Sequence, residues 1–323
     1  MRAFALTLVL ALLPASALGQ APAKVPSVGI LMSTNAEAAR HISEAFAAGL
    51  TRDGWTPGRT ITLEYRWAEG RLERFPDLAA ELARQRVDVI VASGLDATEA
   101  ARKATASIPI VMVNVADPVG AKLVESLVRP GGTVTGLASQ LTPDIRGKQL
   151  QLLREAFPRT RQIVIFRNAR VAGAAVWKEY EVAGRALGVE TRFVDVKGPE
   201  EFDAALARID RAGEALFVPG GDLVFFMNRA ALVAGTLRHR VPAMFSAREF
   251  ADDGGLMSYS ARLTEQFRRA ADYVGRVLRG ARPAEMPVEQ PTSFELVVNL
   301  KTAAALAVTL PPAFLLRADE VLR

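Results

Sequence analysis

Two doubly wound, parallel-sheet α/β lobes are the fold class that the 323-residue sequence predicts, and two stretches carry that prediction. The first is Val87 to Gly120, VDVIVASGLDATEAARKATASIPIVMVNVADPVG. Its β-branched run from Val87 to Ala92 is too short for a helix and reads as a buried parallel strand that stops at Ser93-Gly94. Asp96 followed by Glu99 has capping-box spacing and predicts a helix over 97–106. Ile110 to Val113 is a second buried strand, closed by Asn114 and Asp117-Pro118, so the stretch is a βαβ unit. The second stretch repeats this grammar. Ala215 to Val218 breaks at Pro219-Gly220-Gly221-Asp222, a helix is expected from Phe225 to Arg238, and the strand Ala243 to Ser246 is followed by Arg248 and Glu249. The spacings differ, so this is an architectural echo and not a repeat of the solenoid kind. Polar residues at the strand ends of both units predict a ligand held between two lobes.

The remaining elements follow in order. Val28 to Met32 is a strand that breaks at Ser33-Thr34-Asn35, and Ile42, Phe46 and Leu50 give the next helix one apolar stripe. Thr60 to Trp67 alternates as a strand, and Leu78 to Leu82 belongs to a helix leading to Val87. The Arg129-Pro130-Gly131-Gly132 turn precedes a short strand, Thr133 to Gly136, and a crossover between lobes is expected near Ser139 to Pro143. A helix over 143–157, a strand from Gln162 to Phe166, a helix over 174–187, a strand from Glu190 to Val196 and a helix over 199–212 lead to the echo unit. Leu256 to Tyr259 is a strand expected to return to the first lobe, before a helix striped with Leu263, Phe267, Ala270, Val274, Val277 and Leu278. A strand from Glu295 to Leu300 and a helix from Lys301 to Val308 close the chain. The expected division is 27–138 plus 257–285 for lobe 1, and 139–256 plus 286–323 for lobe 2.

Arg2, the apolar core Phe4 to Leu13 and the small residues Ala17-Leu18-Gly19 form a secretory signal-peptide pattern over 1–19, with cleavage before Gln20. That implies a periplasmic protein. Cysteine is absent, which excludes disulfides, thiolate nucleophiles and cysteine-bound metals. The two histidines, His41 and His239, lie beside arginines in helical patterns and read as surface residues. A net charge of +5 raises nucleic acid as a partner, but basic and acidic residues alternate along helices, as in RLERFPDLAAELARQR, so no nucleic-acid role is expected. Hydrolase-elbow, P-loop, dinucleotide and zinc-protease motifs are missing, and neither an enzyme activity, a cofactor nor a metal is expected.

Asp117, Asp222 and Glu249 stand at strand ends, where a carboxylate accepts from a ligand amine or hydroxyl, works as acid or base, or caps a helix. Ser33, Thr34, Ser93, Gly94 and Asn114 stand where helix N-termini meet the crevice, and amides there suit a ligand carboxylate. Asn35 shares the first of these loops with Thr34, and either can instead cap the helix that follows. Phe225, Phe226, Phe250 and Tyr259 are candidates to stack on an apolar ligand, and on a helix at most one of the adjacent Phe225 and Phe226 can face it. Asp117 and Glu249 end corresponding strands and are expected to face each other across the cleft.

The stretches EYRWAEGRLERFPDLAAELARQRVDVIVASG, IPIVMVNVADPVG, SLVRPGGTVTGL, GKQLQLLREAFP, REFADDGGLMSYS, PVEQPTSFELVVNLKTAAAL and LLRADEVL resemble the ABC-transporter substrate-binding protein family of the type I periplasmic-binding fold. The resemblance implies lobes joined by three crossing segments and a small solute, an amino acid or aromatic acid, delivered by a monomer to an inner-membrane ABC permease. By motif it carries binding positions onto Ser33, Thr34, Asn35, Ser93, Gly94, Asn114, Asp117, Asn168, Asp222, Ser246 and Glu249. A sensor signalling to a membrane receptor and a secreted α/β enzyme are the competing readings. A LacI-type regulator would need a helix-turn-helix where this chain has its apolar leader.

Overall fold

The computed structural model describes residues 24–139, 143–168 and 174–323. The leader read from 1–19 and the centre of the first crossing lie outside the described residues. The first lobe runs β1 (Ser27–Met32), α1 (Arg40–Arg52), β2 (Thr62–Trp67), α2 (Phe75–Arg84), β3 (Val89–Ser93), α3 (Leu95–Ala104), β4 (Ile110–Val115) and β5 (Val134–Ala138). Its strands are all parallel, in the order β2-β1-β3-β4-β5. The chain then builds α4 (Pro143–Ala156), β6 (Gln162–Arg167), α5 (Ala174–Ala186), β7 (Glu190–Asp195), α6 (Phe202–Leu206), β8 (Glu214–Val218), α7 (Leu223–Met227), α8 (Arg229–Arg238), β9 (Ala243–Phe245), α9 (Arg248–Asp252) and β10 (Met257–Ala261). It finishes with α10 (Leu263–Leu278), β11 (Phe294–Asn299), α11 (Leu300–Ala305), α12 (Pro312–Leu315) and β12 (Glu320–Leu322).

The second sheet has the order β12-β11-β10-β9-β8-β6-β7. Within it, β7-β6-β8-β9-β10 repeats the order of the first sheet strand for strand, which gives the echo in the sequence its physical meaning. Each sheet is buried on both faces. Phe46, Phe267, Tyr273 and Val274 of α1 and α10 cover one face of the first sheet, while Phe75, Leu78, Leu82 and Ala97 of α2 and α3 cover the other. The second sheet packs Leu150, Leu153, Tyr180 and Phe314 on one face, and Phe202, Leu206, Phe225, Leu232 and Phe250 on the other. Strands covered on both sides must be apolar throughout, as VIVAS of β3 and IVIF of β6 are.

Several elements depart from expectation. The helix after β3 starts at Leu95 with Gly94 as its N-cap at φ 87°, and no side chain caps it. The turn out of β3 needs a left-handed residue, so the glycine sets the start and the Asp96–Glu99 box does not form. The expected helix over 199–212 shrinks to a 3-10 turn and α6, since Asp210 to Gly213 closes into a turn held by Gly213 N–H on the Asp210 carbonyl, 3.1 Å. The helix expected over 225–238 breaks at Asn228, whose side chain donates to the Val224 carbonyl at 2.8 Å and competes with the helix for it.

Two expectations about lobe membership are corrected. The strand Leu256 to Tyr259 does not return to the first sheet. It forms β10, fully buried at Met257 and Ser258, parallel to β9 and antiparallel to β11. Only the following helix, α10, goes back, to pack on α1 through Phe46 and Phe267, whose rings meet edge-to-face at 6.3 Å. Residues 286–289, expected in the second lobe, instead cover the open edge of β5. Glu289 N–H donates to the Gly136 carbonyl at 3.0 Å, and Thr135 Oγ1 donates to the Met286 carbonyl at 2.7 Å. An uncovered β5 would leave ladder groups unpaired, which is the physical reason for this excursion. β12 was not anticipated; it extends the sheet beyond β11.

Candidate functional site

In both lobes the strand order reverses between the first and third strands, β1 and β3 in one, β6 and β8 in the other. In open α/β sheets that switch point is where the strand ends splay and a crevice opens. The residues found there are Ser33 and Ser93-Gly94 in the first lobe, and Asn168 and Asp222 in the second. The two lobes meet at these ends. The Ala116 methyl lies 3.7 Å from where a side chain on Gly221 would begin, and the Met227 methyl lies 2.8 Å from the corresponding point on Gly70. The described chain is therefore a closed arrangement, with the loops after β4 and β8 in contact across the crevice.

The first lobe lines the crevice with hydroxyls, amides and backbone. Ser33 and Thr34 are half-buried, and their carbonyls accept from Gly70 N–H at 2.6 Å and Glu69 N–H at 3.3 Å, which ties the loop after β1 to the turn after β2. Asn35 closes the turn before α1: its Oδ1 accepts from Ala38 N–H at 2.9 Å, while the helix itself starts after Ala39 with no side-chain cap. At Gly94 nothing stands within 4 Å of a notional Cβ, and two residues on, in the first turn of α3, the Asp96 carboxylate accepts from its own amide while burial raises its pKa. Asn114 is exposed and left-handed at φ 61°, where the pairing of β4 with β5 shifts register between Val113 and Val115. A left-handed asparagine at a strand bulge re-aims its side chain away from the sheet, a form of strain that clusters at binding sites. Asp117 is spent locally: its Oδ1 accepts from Gly120 N–H at 2.8 Å in a tight turn.

The second lobe supplies a buried carboxylate, Asp222, and a half-buried one, Glu249. Asp222 is 6% exposed. It caps α7 by accepting from Val224 N–H at 2.8 Å, and the Asn168 side chain also bonds its carboxylate. Oδ2 is buried with no hydrogen-bond partner among the described residues. Burial outweighs those bonds and raises its pKa. Glu249, in the first turn of α9, is also raised, chiefly by burial; its own amide, Arg229 and His41 work against that shift, while Asp252 adds to it. It forms no ion pair among the described residues. His41 belongs to α1, so a first-lobe side chain acts on a second-lobe carboxylate across the crevice.

Ser246 is held from below: its Oγ accepts from Gln149 Nε2 at 3.1 Å. Gln149 is 1% exposed and also touches the Tyr259 carbonyl at 3.4 Å and the Tyr180 hydroxyl at 3.2 Å, so one buried amide fixes the loop after β9 to α4 and β10. Tyr259 turns away from the crevice and stacks on Phe294 at 5.6 Å within the core of the second lobe. Phe225 packs into the core against Phe166 and Phe202, while Phe226 remains half-buried, edge-on to Phe250 at 6.5 Å and under the Arg229 guanidinium.

The structure thus gathers Ser33, Thr34, Ser93, Gly94, Asn114, Asn168, Asp222, Ser246 and Glu249 at the facing strand ends, and commits Asn35 and Asp117 to local turns and Tyr259 to packing. Gln149, Arg229, Ala116 and His41 were not among the sequence candidates. Gln149 carried a signal, a lone amide on the apolar stripe of GKQLQLLREAFP; the others did not.

Comparison with known proteins places this geometry. The family model described as ABC transporter substrate binding protein matches residues 27–322. A tyrosine-binding protein of Clostridioides difficile is 25% identical over 285 residues, covering 88% of this chain and 81% of that protein. Among solved structures, a conserved domain protein of Vibrio cholerae is 24% identical with a TM-score of 0.79, covering 92% of this chain and 100% of the other. An ABC domain from Streptococcus pneumonia in complex with L-Trp is 22% identical with a TM-score of 0.79, covering 92% and 99%.

Proposed function

The chain belongs to the ABC transporter substrate-binding protein family, and we propose that the solute it traps between its lobes is a free α-amino acid, aromatic side chains included. Members of this family bind a small solute outside the cytoplasm and deliver it to a membrane permease, and this protein is one of them. The observation that carries the choice of solute is the division of charge across the crevice. The first lobe offers the N-terminus of α3 after Gly94, where the amides that Asp96 does not take suit a carboxylate. The second offers Glu249 and the unpaired Oδ2 of Asp222, acceptor-only groups suited to an ammonium. A zwitterion fits both ends at once. The tyrosine-binding relative and the L-Trp complex support the same reading for the side chain.

The cleft carboxylates are assigned to binding, not to acid–base chemistry, in keeping with a family of binding proteins. The same proposal includes removal of residues 1–19 on export, a monomeric mature protein and an inner-membrane permease as its partner. Calorimetric titration of the mature protein with tyrosine, tryptophan, phenylalanine and their deaminated and decarboxylated analogues tests the solute. Saturable binding of the amino acids that is lost in both analogue series is expected. Equal binding of an analogue lacking the ammonium would overturn the role given to Glu249 and Asp222.

A further inference from the structure

At the pole of the second lobe opposite the crevice lies a cavity of about 790 Å³, walled by the segments that enter β6, β7 and β8. Its volume is that of a small-molecule site. Four arginines line it, Arg154, Arg159, Arg161 and Arg185, and none forms an ion pair among the described residues. Arg154 donates only to the Pro158 carbonyl, and the carboxylate one turn from Arg185, Glu181, is bonded to Lys178. Of the three carboxylates on the cavity wall only Glu214 is paired with a cation, so four guanidinium groups stand against the two charges of Glu190 and Asp210. Glu214 takes Arg192 Nη2 on both oxygens at 2.9 Å, Glu190 accepts from Gln162 Nε2 at 3.0 Å, and Asp210 accepts from Ala212 N–H at 3.0 Å.

Arg154 and Arg185 stand in the last turns of α4 and α5, where a cation answers exposed carbonyls. Arg159 and Arg161 lie outside any helix, and that explanation does not reach them. Arg161 folds over Gly213: its Nη2 is 2.8 Å from where a side chain there would begin, so the glycine is what admits the guanidinium. Gathering unpaired guanidinium groups around one concavity costs free energy through repulsion, and an anion removes that cost. Planar guanidinium forks match phosphate oxygens two at a time.

We propose that this cavity is a second binding site that takes a phosphate group, carried by a lipid headgroup or by a soluble phosphate compound. It lies at the opposite ends of the strands from the crevice, so its ligand is not the transported solute and does not compete with it.

The test titrates inorganic phosphate into the mature protein at low ionic strength, where exposed charges are least screened. Two double variants are compared with the wild type. Arg159→Gln with Arg161→Gln alters the cavity, and Arg59→Gln with Arg84→Gln removes the same charge from exposed positions of the first lobe. Saturable binding is expected for wild type and the first-lobe variant, weakened about tenfold or more in the cavity variant, which lacks two charge-assisted donors. The single Arg159→Gln variant, at an exposed position, repeats the measurement should the double variant unfold at lower temperature. Sedimentation with vesicles of phosphatidylcholine, with and without phosphatidylglycerol, separates the sources. Capture by the anionic vesicles that is lost in the cavity variant assigns the lipid headgroup, and phosphate binding without capture assigns a soluble compound. No saturation with phosphate, or equal weakening in both double variants, would overturn the site.

Discussion

Replacing Glu249 by glutamine is the sharpest probe of the crevice, because it removes a charge while keeping the shape. Glu249 is raised by burial and has no ion pair to lose among the described residues, so its carboxylate is available to a ligand. Truncating one partner of a buried charge pair costs about 2–5 kcal/mol. Arg229, whose charge Glu249 already feels, softens the loss, which places the expected penalty for an amino acid near 2–3 kcal/mol, or about 30- to 150-fold in Kd. Asp117→Asn should change affinity by less than about threefold, since that carboxylate is spent on Gly120. Calorimetry supplies both numbers, and pH supplies a second axis. Binding an ammonium needs Glu249 ionised, so affinity should fall on acidification, beginning above the ordinary glutamate value of 4.5. Stability of the ligand-free protein responds with the opposite sign. A raised folded pKa gives a stabilisation that is present below the unfolded value and is lost as pH rises through the folded one. Glu249→Gln should therefore be at least as stable as wild type at neutral pH while binding worse. Repeating the series in His41→Gln separates the first-lobe contribution from those of Arg229 and Asp252. Wild-type affinity in Glu249→Gln, within about threefold, refutes the assignment.

Three further outcomes are expected. Ala116→Leu puts bulk where the loops after β4 and β8 meet; small-angle scattering should show that its compaction with amino acid is reduced, while its unfolding temperature stays at the wild-type value because Ala116 is exposed. Gly136→Ala should destabilise by about 3 kcal/mol in denaturant titration, since φ is 128° and a Cβ there would come within 2.2 Å of the Met112 carbonyl oxygen; an unchanged midpoint would mean the edge of β5 relaxes freely. Mass spectrometry of exported protein should find a chain beginning at or near Gln20, and an intact leader on that protein would remove the export argument.

The fold was legible because parallel strands covered on both faces have to be apolar and have to stop at polar residues. VIVAS and EALFV say where the sheet is, and Ser93 and Asp222 say where it ends. Lobe membership was not legible, since it depends on partners far along the chain. Nothing in LMSY tells that Met257 pairs with Met244 and Val298, and nothing in MPVE tells that it seals the edge of β5. Helix starts failed for a different reason. Side-chain spacing suggested a box at Asp96, but the left-handed turn at Gly94 had already decided where the helix begins.

The binding residues divide along the same line. Sequence grammar treats Asp117 and Glu249 as equivalent, each following the fourth strand of its lobe, and so expects them to face each other. What separates them is local hydrogen bonding. In VADPVG the aspartate sits three residues before Gly120, the spacing that lets a short carboxylate close a turn on a free amide. Glu249 has a longer side chain inside the first turn of a helix and an aromatic neighbour, Phe250, buried beside it. A turn aspartate gains little by turning toward a ligand, because it would give up a bond already made. A half-buried glutamate that bonds only its own amide and forms no ion pair among the described residues gains more, because an ammonium relieves the desolvation that raises its pKa. Asp222 stands between the two cases, with one oxygen committed to capping α7 and the other buried without a hydrogen-bond partner among the described residues. The asymmetry of the crevice, amides from the first lobe and carboxylates from the second, thus follows from which strand-end acids are consumed by their own loops.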